Sequence, residues 1–537
     1  MSMAEASVAA PVVPAPVGEV PRDYNFAADV LARNLAAGRA GKPAYIDARG
    51  QWTYGQLADR VARFGAALRG LGVRREERVL LALTDTIDWP TAFLGCLKSG
   101  IVAVPVNTLL TEDDYAFMLA DSRAKCLVVS EVLFPRFEKI IAKCPDLEHV
   151  IVSGATPDKL DAKGYRLFED LIGADEPEDY TAPTTADDIA FWLYTSGSTG
   201  KPKGAVHIHS SLKLTDDLYA APFVGLKEND LVHSVAKLFF AYGLGNALTF
   251  PLSAGATVVL NQERPTPDGV AALLRKYPIT AFFGVPTFYA AFLASTAAPE
   301  RSEVKFRCCV SAGEALPSDV ARRWNERYGV DIFDGIGSTE MLHIFLSNGP
   351  RGVKYGTTGK PVPGYDIKLL GDDGLPVKQG EIGELFVRGP SSAIMYWNNR
   401  EKSRATFHGE WTRSGDKYLE DAEGYYVCCG RADDMLKVSG LYVSPTEVEA
   451  ALASHPDVLE AAVVGWNDDQ KLVKPKAFVV LKQADKAGDV LHRALQEHCK
   501  AKLAPFKYPR WIEFRTELPK TATGKIQRFK LRAEDLK

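Results

Sequence analysis

The segment that most constrains this chain is Tyr194–Gly204, which reads Tyr-Thr-Ser-Gly-Ser-Thr-Gly-Lys-Pro-Lys-Gly. Apolar runs at Ile189–Leu193 and Ala205–Ile208 flank it, and this arrangement predicts a strand, a loop and a second strand. Its glycines permit tight turns and close approach to a ligand, while its hydroxyls and backbone N–H groups can surround an anion. Lys201 and Lys203 add positive charge, and no acidic side chain is present. The segment therefore predicts a polyphosphate-binding loop.

Two other interpretations of this loop have to be weighed. A flexible polar surface loop has the same composition. A Walker-type P-loop requires Gly-x-x-x-x-Gly-Lys followed by Ser or Thr at the start of a helix. Here Pro202 follows Lys201, so the magnesium-binding hydroxyl is missing and Lys201 is pushed away from helical geometry. The length of the uninterrupted polar and basic run favours phosphate binding of a different kind.

Length and charge limit the classes of protein to consider. The 537 residues exceed what one hydrophobic core supports, so two or more domains are expected. Hydrophobic residues make up 46% and charged residues 25%, which is typical of a soluble globular protein. The net charge of −4 argues against a general nucleic-acid binder.

The cysteines and the N-terminus bear on location. Eight cysteines are scattered, and neither Cys-x-x-Cys nor His-Glu-x-x-His occurs, so ligand spacing suggests no metal site. Cysteines without a framework fit a reducing cytoplasm. Residues 1–20, rich in Ala, Pro and Val, predict a disordered leader rather than a signal peptide. No apolar run approaches the roughly 18 residues that span a membrane.

Apolar periodicity along the chain predicts the fold class. Thr53 and Gln56 form a capping-box pattern that opens a helix to about Arg69, and buried strands are predicted at 79–83, 101–104 and 127–129. Alternating strands and helices imply parallel sheets covered by helices. From about residue 359 the chain becomes rich in strands and turns, and after residue 430 it predicts a compact α+β unit.

We therefore predict an α/β fold with a leader (residues 1–20), a large N-terminal domain (21–432) and a small α+β C-terminal domain (433–537). The N-terminal domain is predicted to contain parallel and mixed sheets with helices, plus a small β subdomain. The boundary is placed within Arg431–Asp434, where the character of the sequence changes.

Further segments carry groups suited to a nucleotide. Asp334–Glu340 (Asp-Gly-Ile-Gly-Ser-Thr-Glu) combines glycines for a close turn with Glu340, a hard oxygen ligand for Mg²⁺. Asp416 can accept both hydroxyls of a ribose, and Arg431 can donate in a fork to ribose or phosphate oxygens. Each of these segments alone is also compatible with an ordinary turn or a surface charge.

Together with Tyr194–Gly204, these segments resemble, in order, the motifs of the adenylate-forming enzymes: acyl-CoA synthetases, carrier-protein adenylation domains and luciferases. The resemblance covers nearly the whole chain and implies Mg²⁺-dependent use of ATP. One departure is Ile336, where the family usually has an aromatic residue that stacks on the base. The implied nucleotide contacts are Thr195, Ser196, Gly197, Ser198, Thr199, Gly200 and Lys203 for the phosphates; Gly313, Glu314, Ala315, Asp334, Gly335 and Ile336 for adenine; Thr339 and Glu340 for the α-phosphate and Mg²⁺; and Asp416 and Arg431 for ribose.

The same resemblance extends into the C-terminal region. Gly430–Gly440 is similar to the family's hinge, which makes Asp433 the pivot of a mobile domain and Gly440 a lining residue of the coenzyme A tunnel. Pro519–Arg528 contains Thr-Gly-Lys and resembles the loop that carries the catalytic lysine, here Lys525. A lysine that bridges carboxylate and phosphate offsets the repulsion between two anions in the transition state.

Lys237–Gly245 and Gly337–His343 resemble one branch of the family, the benzoate–CoA ligases. The aryl acid pocket implied by this resemblance consists of Phe240, Ala241, Tyr242, Gly337 and His343. Many relatives have histidine where Phe240 stands. The implied activity joins an aryl carboxylate to coenzyme A through an acyl-AMP at the expense of ATP, in the degradation of aromatic compounds.

Two alternatives remain at this stage. A stand-alone adenylation enzyme that loads a carrier protein would keep every adenylation motif and change only the thiol partner. A nucleotide-binding regulator on the same fold would be favoured by loss of Lys525 or Glu340, but both are present. The expected partners are the aryl acid, ATP and coenzyme A, with no nucleic acid or membrane, for a cytoplasmic monomer or homodimer.

Overall fold

The structure is a computed structural model. It describes residues 19–156, 164–173, 179–195, 201–432, 434–438, 441–469, 472–504, 506–520 and 526–533.

The helices follow the chain in this order: α1 (Phe26–Ala36), α2 (Tyr54–Gly70), α3 (Asp88–Lys98), α4 (Glu112–Ser122), α5 (Phe134–Ile141), α6 (Phe168–Ile172), α7 (His209–Thr215), α8 (Ala241–Leu244), α9 (Phe250–Ala254), α10 (Pro267–Lys276), α11 (Pro286–Ala294), α12 (Ser318–Tyr328), α13 (Arg400–Thr406), α14 (Pro445–Ala453), α15 (Asp489–Lys502) and α16 (Arg528–Arg532). Two π-helical segments, Asp216–Val224 and Gly245–Thr249, continue α7 and α8.

The strands are β1 (Pro43–Asp47), β2 (Gly50–Thr53), β3 (Arg78–Ala82), β4 (Val102–Pro105), β5 (Cys126–Ser130), β6 (His149–Ser153), β7 (Arg166–Leu167), β8 (Ile189–Thr195), β9 (Lys203–Ile208), β10 (Leu231–Ser234), β11 (Thr257–Val259), β12 (Ala281–Gly284), β13 (Cys308–Ser311), β14 (Ile332–Gly337), β15 (Ile344–Ser347), β16 (Lys360–Pro361), β17 (Asp366–Leu370), β18 (Gly383–Arg388), β19 (Met395–Tyr396), β20 (Phe407–His408), β21 (Trp411–Glu420), β22 (Tyr426–Arg431), β23 (Leu436–Val438), β24 (Leu441–Val443), β25 (Val458–Asn467), β26 (Val473–Leu481) and β27 (Trp511–Arg515).

Two large sheets form the N-terminal domain. One has the order β19-β9-β8-β4-β3-β5-β6-β7, and the other has the order β16-β15-β14-β13-β12-β10-β11-β1-β2. The central strands of both sheets pair in parallel, while the hairpin partners at their edges pair antiparallel. This mixture of pairings is the one predicted from the sequence, and the predicted fold class is confirmed.

The two sheets enclose a shared layer of helices. Alternate strand residues such as Val79 and Val310 face this layer, where they meet α1, α2 and α3. The opposite faces carry residues such as Leu80, which packs with α4 and α5, and Phe282, which packs with α10 to α12. Side chains alternate between the two faces of a strand, and helices cover both faces of each sheet. The strands are therefore apolar on both sides. The result is five layers, helix–sheet–helix–sheet–helix.

The predicted β subdomain and the C-terminal unit are both present. Strands β17, β18, β21, β20 and β22 form an antiparallel sheet that begins close to the predicted position. Beyond residue 433, β25, β26 and β27 carry α14 and α15 on one face and α16 on the other. Among the residues that the structure describes, no helix combines the length and apolar composition needed to cross a bilayer.

Local signals in the sequence account for several element ends. Helix α2 begins at the predicted capping box, in which Thr53 and Gln56 each accept a backbone N–H of the other. Helix α4 begins in the same way at Thr111 and Asp114. Strand β8 is longer than predicted and runs to Thr195, so it delivers the first residue of the glycine-rich loop directly from the sheet.

Candidate active site

The glycine-rich loop leaves from and returns to an antiparallel strand pair. Thr195 at the end of β8 pairs with Lys203 at the start of β9. The Tyr194 hydroxyl donates to Asp121 Oδ2 at 2.7 Å, and the Trp397 backbone N–H donates to the Gly204 carbonyl at 2.7 Å. Both ends of the loop are therefore tied to the surrounding structure. The predicted phosphate ligands Ser196, Gly197, Ser198, Thr199 and Gly200 lie outside the described residues.

Lys203 lies against an aromatic ring that the sequence did not assign to the site. Its Nζ is 4.5 Å from the ring centroid of Tyr396, which is a favourable cation–π distance. Tyr396 is placed there because β19 pairs with β9, with Tyr396 opposite Ala205. The ring is buried, and Phe407 packs on it at 5.3 Å between centroids.

The Thr339–Glu340 turn is adjacent to the same strand. The His207 ring on β9 donates from Nε2 to the Thr339 carbonyl at 2.7 Å, and burial lowers the pKa of His207 to about 4, so the ring is neutral. The Tyr396 hydroxyl donates to Glu340 Oε1 at 2.6 Å. Burial and the Glu340 charge raise the pKa of Tyr396, and the nearby Arg431 charge opposes this shift. Phosphate-loop, magnesium and ribose candidates thus meet around one tyrosine.

The two predicted adenine segments lie side by side. Ser311, which ends β13, pairs with Asp334 in β14, and the loop Gly313–Ala315 follows directly. Asp334 Oδ2 accepts from the Leu316 N–H at 3.4 Å, and burial raises the pKa of this carboxyl well above its usual range. Gly313 has φ of +100°, a conformation that favours glycine.

The other adenine residues follow on the same strand. Gly335 has no room for a side chain, because a Cβ there would lie 2.9 Å from Ile344 Cγ2. Ile336 is half-buried opposite Leu346. The structure thus keeps all six predicted adenine residues together at the ends of neighbouring strands.

The predicted ribose pair is formed directly by strand register. Asp416 in β21 pairs with Arg431 in β22, and Arg431 Nη1 donates to Asp416 Oδ1 at 3.0 Å. Cys428 lies on the same strand as Arg431, three residues before it. Burial raises the pKa of its thiol to about 11, with smaller contributions from the nearby charges of Asp416 and Asp334.

An aromatic cluster surrounds His343 in the predicted acid pocket. The ring of Phe250 packs edge-on at 4.5 Å, and the rings of Tyr219 and Tyr242 lie at 5.5 Å each. His343 Nε2 is 3.2 Å from Asn246 Oδ1, and burial lowers the pKa of His343 to about 3. The imidazole is therefore neutral, and the pocket wall carries no charge from it.

Glycines bring the backbone against this histidine. A Cβ on Gly337 would lie 2.5 Å from the His343 carbonyl, and one on Gly245 would lie 2.4 Å from its ring. Gly245 begins a π-helical segment, a feature often found at functional sites. Tyr242 is fixed beside it, because its hydroxyl donates to the Gly284 and Val310 carbonyls. Ala241 is buried on the same short helix, α8, and Phe240 precedes it half-buried.

Arg528, the first residue of α16, lies close enough to the predicted adenine segment for the charge of Glu314 to act on it. Burial lowers the pKa of Arg528, but the carboxylates of Glu449, Asp434 and Glu314 raise it by more. The pKa therefore lies above its usual value. Arg528 Nη2 donates to Glu449 Oε2 at 2.7 Å. Asp433, Gly440 and Lys525 themselves lie outside the described residues.

Sequence reasoning missed several residues that the structure places in or around the site. These are Tyr396 beside Lys203 and Glu340, His207 beneath Thr339, and the residues around His343: Tyr219, Asn246 and Phe250. Asn246 directly follows the segment that was singled out, so extending it by one residue would have found this contact. Tyr396 stands in Ile394–Asn399, which has no unusual composition.

Comparison with known proteins identifies the class. The family model described as AMP-binding enzyme matches residues 32–397, and that of the AMP-binding enzyme C-terminal domain matches residues 447–525. The chain belongs to the AMP-binding enzyme family. The predicted membership of the adenylate-forming acyl-CoA synthetases is confirmed.

The proteins similar to this chain include aryl-acid ligases. The chain is 58% identical over 521 residues to a benzoate–CoA ligase of Thauera aromatica, covering 96% of this chain and 97% of the relative. A benzoate CoA ligase structure from Burkholderia xenovorans LB400 superposes with a TM-score of 0.88 at 53% identity, covering 95% of this chain and 100% of that chain. An anthranilate CoA ligase in complex with anthranoyl-AMP superposes with a TM-score of 0.92 at 44% identity, covering 97% and 99%.

Proposed function

We propose that this protein is an ATP-dependent benzoate–CoA ligase that forms benzoyl-CoA, AMP and pyrophosphate through benzoyl-AMP. One observation carries the proposal: the short segment Gly337–His343 joins an uncharged aromatic pocket to the Glu340 carboxylate, which shares the Tyr396 side chain with Lys203. The similarity to the benzoate–CoA ligase of Thauera aromatica supports the same conclusion. It also favours coenzyme A over a carrier protein as the thiol partner.

In the first step, a benzoate oxygen attacks the α-phosphorus of ATP, the bond to the pyrophosphate oxygen breaks, and pyrophosphate leaves. Lys203 and the loop before it supply positive charge and N–H donors for the phosphates. We assign Asp416 and Arg431 to the ribose, and Asp334 with the Gly313–Ala315 loop to the base; the strand pairing that brings each group together supports these assignments. Lys525 is assigned the role of neutralising the two anions as they approach.

We assign Mg²⁺ to Glu340 on the chemistry of its carboxylate. The Glu340 carboxylate accepts a hydrogen bond from the Tyr396 hydroxyl at Oε1, and the residue is partly buried. No cluster of three or more His, Cys, Asp or Glu that could hold a metal occurs in the described part of the chain. This suits Mg²⁺, which is commonly bound by one or two carboxylates together with substrate phosphates. When bound, the ion would neutralise phosphate charge.

The aromatic cluster explains the choice of acid. Tyr219, Tyr242, Phe250 and His343 supply flat apolar walls, and burial keeps His343 neutral. An apolar slot with few polar groups suits a short, flat ring. None of these residues could pair with a second carboxylate, so the acid should carry only its reacting one. Benzoate and small ortho- or meta-substituted benzoates are therefore proposed to be preferred over coumarate-like and fatty acids.

In the second step, the thiolate of coenzyme A attacks the acyl carbon and AMP leaves. We propose that the C-terminal domain, residues 433–537, rotates about Asp433 between the steps, removing Lys525 and exposing a tunnel beside Gly440. The charge of Glu314 in the proposed adenine loop contributes to the raised pKa of Arg528, which supports an approach of this domain to the nucleotide. The eight cysteines are all free thiols, which supports a cytoplasmic location.

The direct test separates the two half-reactions across a panel of acids. ATP–pyrophosphate exchange should be fastest with benzoate, and thioester formation should require free coenzyme A. A preference of about tenfold for octanoate or coumarate, roughly 1.4 kcal/mol of transition-state binding, would contradict the proposed acid but not the ligase chemistry.

A further inference from the structure

Tyr396 touches two groups of opposite charge at once. Its hydroxyl donates to Glu340 Oε1 at 2.6 Å, and Lys203 Nζ lies over its ring at 4.5 Å from the centroid. One tyrosine therefore contacts both charged residues, the Glu340 carboxylate through its hydroxyl and the Lys203 ammonium through its ring.

The position of Tyr396 is fixed independently of these two contacts. Strand β19 pairs antiparallel with β9, which places Met395 opposite Val206 and Tyr396 opposite Ala205. The Tyr396 side chain is 3% exposed. Phe407 packs on one side of its ring, and Ala205 and Ala393 complete the apolar contacts. A ring locked by packing can hold a hydrogen bond with little entropic cost.

The backbone reinforces the same link. The Ala393 N–H donates to the Glu340 carbonyl at 2.6 Å, and the Trp397 N–H donates to the Gly204 carbonyl at 2.7 Å. The segment 393–397 thus ties the Glu340 turn to the strand that carries Lys203. A shift of either group would have to move Tyr396.

We propose that Tyr396 is the positioning residue of the proposed metal site: its hydroxyl orients the Glu340 carboxylate toward the metal–nucleotide complex, and its ring holds Lys203 beside that site. The inference rests on the proposed assignment of Mg²⁺ to Glu340. The hydroxyl takes up one lone pair of Oε1 and sets the plane of the carboxylate, so Oε2 would be available to hold the ion. Groups that orient a metal ligand typically change metal affinity by about 10–100-fold when they are removed.

Metal binding can be measured without turnover. Mn²⁺ is titrated into the enzyme with ATP and no acid, free Mn²⁺ is followed by electron paramagnetic resonance, and the Mn²⁺ bound by the same ATP without enzyme is subtracted, so that only enzyme-dependent binding is compared. Tyr396→Phe removes only the hydroxyl and should weaken Mn²⁺ binding by about 10–100-fold. ATP affinity measured in EDTA should be unchanged, because the ring over Lys203 remains. Tyr396→Leu removes the ring as well and should also weaken metal-free ATP binding by about two- to fivefold.

Two further variants make the outcome decisive. Tyr328→Phe is the matched control. Tyr328 is a buried tyrosine on α12 whose hydroxyl donates to the Pro299 carbonyl at 3.2 Å, and the substitution deletes that hydroxyl. It should bind Mn²⁺ like the unmodified enzyme at a comparable thermal midpoint. Glu340→Gln should abolish most Mn²⁺ binding.

The results separate this inference from the proposed function. If Tyr396→Phe binds Mn²⁺ normally while Glu340→Gln does not, the role of Tyr396 is overturned and the metal assignment stands. If both variants bind normally, the metal assignment fails and the positioning role fails with it. A loss in Tyr328→Phe as large as that in Tyr396→Phe would show a general destabilisation and would also overturn the proposal.

Discussion

The indole of Trp397 stacks on the indole of Trp192, with ring centroids 4.7 Å apart and an interplanar angle of 17°. Trp192 lies in β8, and Trp397 follows β19, so the stack bridges the two neighbours of β9. Gly204 of β9 lies beneath it, since its carbonyl accepts from the Trp397 N–H at 2.7 Å. This arrangement fixes the strand pair from which the phosphate loop projects.

Gly204→Ala should disturb that arrangement. A Cβ there would lie 2.9 Å from Trp192 Cδ1, and the buried indole cannot move away. We expect a loss of about 1–3 kcal/mol of stability from overpacking, seen as a lower thermal midpoint, and a lower kcat/KM for ATP. Gly41→Ala is the control, because its Cβ meets no atom within 4 Å. Equal behaviour of the two variants would show that the stack tolerates displacement.

His343→Ala should impair use of the aryl acid more than use of ATP. The imidazole packs against Phe250 at 4.5 Å and forms part of the proposed pocket wall. We expect kcat/KM for benzoate to fall at least about tenfold, roughly 1.4 kcal/mol, with the KM for ATP changing little. Steady-state kinetics with each substrate varied in turn would measure this. A parallel rise in both KM values would argue that His343 only supports the fold.

Lys525→Ala should separate the half-reactions. If this lysine stabilises charge in the adenylation transition state, its removal should cost about 10²–10³-fold in ATP–pyrophosphate exchange. Supplied benzoyl-AMP should still be converted to benzoyl-CoA at nearly the normal rate. Similar losses in ATP–pyrophosphate exchange and in the conversion of benzoyl-AMP would contradict the role proposed for Lys525.

Asp433→Pro should restrict the proposed rotation of the C-terminal domain. Proline fixes φ near about −65°, so one arrangement of the domains should be favoured. We expect adenylation to be largely retained and thioester formation to be slowed. The two single-turnover rates test this directly, and comparable slowing of both would place the hinge elsewhere.

His233→Asn should change how stability depends on pH. Burial lowers the pKa of His233 to about 4, so its contribution to stability is fully present above pH about 6.5 and is lost as the pH falls toward 4. The loss amounts to at most about 1.4 kcal/mol per pH unit. When the pH is lowered from 7 to 5, the thermal midpoint of the variant should therefore fall by less than that of the unmodified protein. The exposed His408→Asn serves as control, and a variant with the unmodified protein's pH response would contradict the prediction.

Much of the fold was predictable because local signals agree with the final structure. Alternating apolar residues in β3 and β5 face opposite cores, and the Thr53–Gln56 box starts α2 as expected. The register of a hairpin also brings Asp416 and Arg431, both expected to bind ribose, opposite each other. In each case the decisive interaction lies within one strand, one helix end or one hairpin.

The unpredicted contacts depend on interactions over long stretches of chain. Tyr396 and Glu340 are 56 residues apart in the chain. Tyr396 approaches Lys203 only because β19 pairs with β9, which places Tyr396 opposite Ala205. No local sequence pattern encodes either contact. The surroundings of His343 were missed for another reason. Tyr219 and Asn246 lie in π-helical segments, whose wider turns shift side chains away from the periodicity that identifies an α-helical face.

The pairing of β19 with β9 also has a consequence for biosynthesis. At about 5–20 residues per second, roughly 10–40 s separate the emergence of these two strands from the ribosome. During that interval β9, which carries Lys203 and His207, is an uncovered sheet edge able to recruit foreign strands. The nascent chain thus exposes this edge until the segment containing Tyr396 has emerged and can pair with it.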